Sequence, residues 1–294
     1  METLRSAKPP CAGSIPALAS KMRKTALIII ILLIALSGIS IQLAHAQTFD
    51  FAKAYQDYQY TLSVYNQSFA DYQDARDFYL KNPTLTLKED ARKKTLTMLR
   101  NRDELMKVYL TALRMKIVET QGLDSDDKNN IFGKIDAEVA WYQDHEKNYL
   151  DNDPLENLFG KSSESESRYK TNTSPISYEA LFYVSLGTEQ GLRTAQEDIY
   201  KNLRSIIDQD VAAGKYDINP FNRWFTDIES VIQELNQNED KARKSIQKMY
   251  DQNYIQPTST FNASIDPLNS SIDLLSQLNR FLVEVTTSIQ NQTK

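Results

Sequence analysis

Zinc sites and triad hydrolysis depend on histidine and cysteine, and this 294-residue chain carries two histidines and one cysteine. Cys11 and His45 lie near the start, so beyond residue 46 the only imidazole is His145. His145-Glu146 opens like the helix of a zinc protease, but that helix needs a second histidine four residues on, where Tyr149 stands. A di-iron bundle requires two Glu-x-x-His pairs on facing helices. A serine nucleophile requires a recognisable elbow and a base. The sequence supplies neither, and His145 is expected at the surface in a charged turn. Asp124-Ser-Asp126-Asp127-Lys128-Asn129-Asn130 looks like a calcium loop until Lys128, Asn129 and Ile135 fall where an oxygen ligand, a glycine and a glutamate belong. Helix capping by Asp124 or Ser125 explains that cluster better. No catalytic residue, metal or cofactor is implied, and the expectation is a non-enzymatic protein.

Two features point to binding instead. Tyr55, Tyr58, Tyr65, Tyr72 and Tyr79 share a stripe with Phe51 and Phe69. Tyrosine packs its ring while its hydroxyl reaches a wet edge, so the stripe suits a helix seam, and it also suits a recognition face for protein or glycan. At heptad spacing the core reading is preferred. Ile176–Leu186 is the most apolar stretch beyond the leader and reads as a buried helix, with a membrane-inserting element of a pore-former as the lesser alternative.

The elements that must position these residues begin with a leader. Lys21, Arg23 and Lys24 precede the apolar run Ala26–Leu36, and Ala44-His45-Ala46 follows before Gln47. Basic, then apolar, then small-x-small is the order of a secretory signal cut after Ala46. Ala26–Ala44 retained as an N-terminal membrane anchor is the alternative. Met22 makes a more ordinary start than Met1. In both readings the rest of the chain faces outward, as a secreted or periplasmic protein or as an anchored extracytoplasmic one. Without residues 1–46 the chain has 29 basic and 38 acidic residues, a net charge of −9. So acidic a chain is a poor ligand for phosphate backbones, and no nucleic acid is expected. An unidentified protein or an envelope glycan is the expected partner, a homo-oligomer is open, and membrane contact is confined to the N-terminal segment.

Hydrophobic spacing then sets the fold class. Phe51, Tyr55, Tyr58, Leu62, Tyr65, Phe69, Tyr72, Arg76 and Tyr79 advance by fours and threes, as do Phe221, Phe225, Ile228, Ile232, Leu235, Glu239, Ala242, Ile246 and Met249. Each series keeps one helix face on a partner. Few glycines over such a length argue against an all-β fold. Asp153-Pro154, Ser174-Pro175, Asn219-Pro220 and Asp266-Pro267 read as helix starts. After Asn82-Pro83 a capping box at Thr86 and Glu89 restarts the helix. Gly122 and Gly214 read as stops. The expectation is an all-α fold: residues 47–294 as an elongated antiparallel bundle of six or seven helices with coiled-coil-like packing. The polar, helix-poor interval 160–174 serves as a connection or joint.

Overall fold

The computed structural model describes residues 50–215, 217–251 and 256–292. The segment expected to be a leader, with Ala44, Ala46 and Gln47, lies outside them. The fold is all-α, with no strand among the described residues. Six long helices are present: α1 (Phe51–Lys81), α2 (Leu85–Glu119), α3 (Ser125–Lys147), α5 (Ser174–Ala212), α6 (Asn219–Gln247) and α7 (Pro257–Gln292). A shorter α4 (Leu155–Arg168) precedes α5. Among the described residues no helix is long and apolar enough to cross a membrane.

Local chemistry explains most of the ends. Asp50 caps α1 by accepting from the Lys53 amide at 2.9 Å, and Asp124 caps α3 by accepting from that of Asp127 at 2.7 Å. Gly122 and Gly214 follow α2 and α5 with φ of +88° and +71°, a conformation open to glycine at no steric cost. Helix α2 begins earlier than the Thr86 box predicts, because the Thr84 hydroxyl already receives the Leu87 amide at 3.3 Å.

Two expectations are corrected. The interval 160–174 is helical, since α4 runs through it and a π-turn, Tyr169–Thr173, leads into α5 without a break. Its polarity hid the helix because the buried face there is built partly from Ser165 and Thr173 rather than from apolar residues. Asp266-Pro267 is not a start but lies inside α7, whose first residue is Pro257. Thr260, Ser264, Leu268, Ser271 and Leu275 are buried on both sides of Pro267, so continuous packing outweighs the one backbone hydrogen bond that proline removes.

The chain divides into two compact units. The first contains the described residues up to Val108 together with Trp141–Lys170: α1, most of α2, the end of α3, and α4. Tyr58, Tyr65, Tyr72, Leu99, Leu105 and Tyr142 are among its buried residues. The second contains Tyr109–Ala140 and the chain from Thr171 onward: the end of α2, most of α3, and α5–α7. There the turn after α2 presses on the backbone of α5. A Cβ built on Gly122 would lie 2.3 Å from the Gly191 nitrogen and 2.4 Å from the Gly187 oxygen. Toward its C-terminal end the second unit is sealed by Ile207, Phe221, Phe225, Ile228, Leu278 and Leu282, with α7 packed on both α5 and α6.

Candidate functional site

His145 is not at the surface. It is only 3% exposed, in the first unit, and its Nδ1–H donates to Oδ2 of the fully buried Asp103 at 2.5 Å. This corrects the sequence expectation, and the reason is register. Ile131, Ile135, Glu138, Tyr142, His145 and Tyr149 advance by fours and threes, so His145 lies on the inward stripe of α3. Asp103 occupies the same kind of position on α2, in the series Leu99, Asp103, Met106, Leu110, Leu113, Ile117. A charged residue in such a slot must find a partner, because an unpaired buried charge is very costly. That was the signal by which both could have been found.

The partners come from three helices. From α4, Ser165 donates to Asp103 Oδ1 at 3.2 Å. The Arg102 guanidinium is 3.6 Å from that oxygen and donates to Ser162 at 3.1 Å. The Trp141 ring stacks on His145 at 4.6 Å between centroids with 12° between planes, and the Arg168 guanidinium lies over that indole at 5.1 Å. Tyr149 meets the imidazole edge-on at 5.1 Å. Burial, ahead of all charge effects, raises the Tyr149 hydroxyl above the usual tyrosine range.

Asp103, His145 and Ser165 are the residue types of a hydrolytic triad in a different arrangement. A triad places the serine on Nε2, whereas here the serine is bound to the aspartate. The Nε2 atom is buried without a hydrogen bond, 3.8 Å from Glu164 Oε2. The set is wired as a pin that fastens α2, α3 and α4 together.

The second unit has its own inward charges. Lys134 Nζ lies 2.8 Å from both oxygens of Glu179, and Tyr250 donates to that carboxylate at 2.5 Å. Burial first, and the Glu179 charge second, raise the Tyr250 hydroxyl. Glu189 on α5 is 5% exposed, and neither carboxylate oxygen has a hydrogen bond. Its carboxyl is pushed up to about 7, chiefly by burial; Arg193 pulls it down, and Glu239 and Glu197 push it up.

The tyrosine stripe faces the interior of the first unit. Tyr58, Tyr65 and Tyr72 are buried, while Tyr55 and Tyr79 are half-buried. Phe51–Tyr55–Tyr58 and Tyr65–Phe69–Tyr72 form runs of ring contacts 5.7–6.1 Å apart. Burial pushes the Tyr58 hydroxyl up to about 12. Ile176, Ala180, Phe182, Tyr183 and Leu186 are likewise buried, in the second unit.

Five of the apolar side chains that face solvent on the second unit lie in two rows. Leu192, Ile199 and Ile206 recur every seventh residue along α5 and are each about half exposed, at 47–49%. Ile272 and Val283 on α7 are 51% and 57% exposed, three turns apart. Between α5 and α6 lies an open groove of about 680 Å³, where Tyr200 donates to Glu229 at 2.8 Å and Arg204 covers the Phe225 ring at 4.1 Å. Comparison of the chain with protein-family models, with curated proteins and with solved structures finds no match.

Proposed function

We propose that this chain is an exported, non-catalytic helical protein that works at the cell envelope by engaging another macromolecule. The observation that carries the reading is the exposed row Leu192, Ile199 and Ile206, half open to water on a helix whose other large apolar side chains are at least partly buried. Exposed apolar residues matter when they are aligned rather than scattered. The inward wiring of the Asp103–His145 pair supports a structural role for the residues best suited to catalysis. The basic, apolar and Ala44-x-Ala46 order of the leader supports export.

Site-specific photo-crosslinking in the native cells tests this. A photoreactive side chain at Ile199 is expected to give protein adducts, and one at Lys201, on the other side of α5, is not. Adducts at neither position, or equally at both, would overturn the reading. Intact mass of the recovered protein tests export, with a species beginning at Gln47 expected. The groove at Tyr200 and Arg204 favours a second reading, a ligand-binding bundle. A small-molecule-dependent rise in melting temperature, lost in Arg204→Ala, would support it.

A further inference from the structure

We infer that the uncharged side of the α5–α7 pair is a homodimer face, on which a second copy of this chain packs its own α5 in the opposite direction. The inference rests on the interaction reading above and names the partner. On α5 the core-facing ridge is Leu203 and Ile207. Arg193, Tyr200 and Arg204 lie to one side of it and reach α6, through Arg193 to Glu239 (2.7 Å) and Tyr200 to Glu229 (2.8 Å). At 100° per residue, Leu192, Ile199 and Ile206 fall on the other side of the ridge, away from α6.

Helix α7 is divided in the same way. Its charged residues are Asp266, Asp273, Arg280 and Glu284, and they fall on one stripe. That stripe faces away from the buried Leu278 and Leu282, and Glu284 at its edge accepts from the Trp224 indole of α6 at 3.0 Å. Ile272 and Val283 stand about a quarter turn from that stripe, on the side away from Leu274 and Phe281, which pack on the core, and among Asn269, Ser276, Asn279 and Thr287. The two helices thus present a surface of aliphatic side chains set among small and uncharged ones. On α5 the charge on that side is Asp210, which is answered by Lys215 at 2.8 Å.

Charge decides who the occupant is. The whole chain is acidic, at −5, so two copies repel except where each offers an uncharged surface. A partner recruited by electrostatic complementarity would be met by a charged patch, and this face has none. The spacing is self-complementary as well. Leu192 and Ile206 are equidistant from Ile199, so a two-fold axis through Ile199 sets Leu192 against the partner's Ile206 and Ile199 against its own copy. A seven-residue apolar repeat is the pattern of a helix-pair seam.

The test uses the protein as its own cells process it, with Cys11→Ser so that no native thiol competes. Sedimentation equilibrium is expected to give a dimer, and Ile199→Lys a monomer with unchanged helical circular dichroism. Lys201→Glu, off the face, should remain dimeric. Because Ile199 sits on the axis, Ile199→Cys is expected to form an intermolecular disulfide under mild oxidation and Lys201→Cys is not; a parallel pairing would also join Ile199→Cys. Orientation is therefore read from Leu192→Cys mixed with Ile206→Cys, which join to each other only in the antiparallel arrangement. A monomer at every concentration, or a dimer that survives Ile199→Lys, would overturn the inference. If photo-crosslinks at Ile199 reach only a different protein, self-pairing falls and the interaction reading stands. If no adduct forms at all, both fall.

Discussion

The first unit and the C-terminal part of the second close their interiors by opposite means. In the first, the centre of the α2–α3–α4 contact is polar and holds an ion pair: Arg102, Asp103 and His145 are each no more than 3% exposed and are joined by hydrogen bonds that include Ser162, Ser165 and Tyr149. In the second, Phe221, Phe225, Ile228, Leu278 and Leu282 interlock with no ion pair among them. The difference lies in tolerance. An apolar seal accepts a neighbour of similar size and loses energy in proportion to the volume removed. A buried ionic seal is unforgiving of single losses, yet it adds little over a well-packed apolar substitute. The polar cluster therefore specifies which helix faces meet, and the apolar cluster supplies bulk stability.

The largest expected effect breaks the ionic seal. Asp103→Ala leaves Arg102 buried without its counter-charge and His145 Nδ1 without its acceptor, and should cost about 3–5 kcal/mol, read as a lowered urea midpoint. Replacing Arg102, Asp103 and His145 together by leucine should recover most of that loss. A double-mutant cycle on Asp103 and His145 should give a coupling of roughly 1–3 kcal/mol. Additive losses would mean that the pair is incidental and that the contrast between the units is unreal.

Next comes the apolar seal. Leu278→Ala, at a fully buried position of α7, should cost about 2–4 kcal/mol through lost transfer energy and a residual cavity. Leu278→Met should cost under about 1.5 kcal/mol. A conservative swap as damaging as the truncation would show that this core, too, depends on specific geometry rather than on volume.

Glu189 sharpens the comparison because it is an ionisable group left without a polar partner. With its folded carboxyl at about 7, against the usual value of 4.5, the folded chain binds the proton more tightly than the unfolded one. Its contribution is fully present below about pH 4.5 and is lost as pH rises through about 7. Glu189→Gln should therefore leave stability unchanged near pH 4 and raise it above pH 7 by on the order of 2 kcal/mol. Urea midpoints of both proteins at the two pH values check this. An equal difference at both would mean that the carboxyl titrates normally.

Much of this fold was written in the 4-3 spacing of apolar residues, which marked α1 and α6, and in Asn219-Pro220, Gly122 and Gly214, which marked ends. The candidate site was harder to read because its signal was an exception to that pattern. Asp103, Glu138 and His145 hold core positions in the series that runs through them, and taking polarity as a sign of exposure moved His145 to the surface. The serine-rich stretch of α4 is hard to read for the same reason, since Ser165 is buried in it. Sequence alone does not show which distant residue answers a buried charge, since Asp103 and His145 lie on different helices.

The smallest expected effect removes a carboxylate and ammonium that look, by distance, like the buried pair. Lys53 and Asp57 on α1 are 2.7 Å apart, one helical turn from each other, with side chains 56% and 42% exposed. Distance alone would rank this pair beside Asp103 and His145 at 2.5 Å. Water already solvates both partners of the exposed pair, so little is gained by their contact and nothing is stranded when one is removed. Asp57→Ala is expected to leave the urea midpoint unmoved, and raising the salt concentration should not shift it. A loss approaching that of Asp103→Ala would mean that contact distance rather than burial sets the cost. The distinction between an ionic pin inside the first unit and ordinary surface charge would then fail.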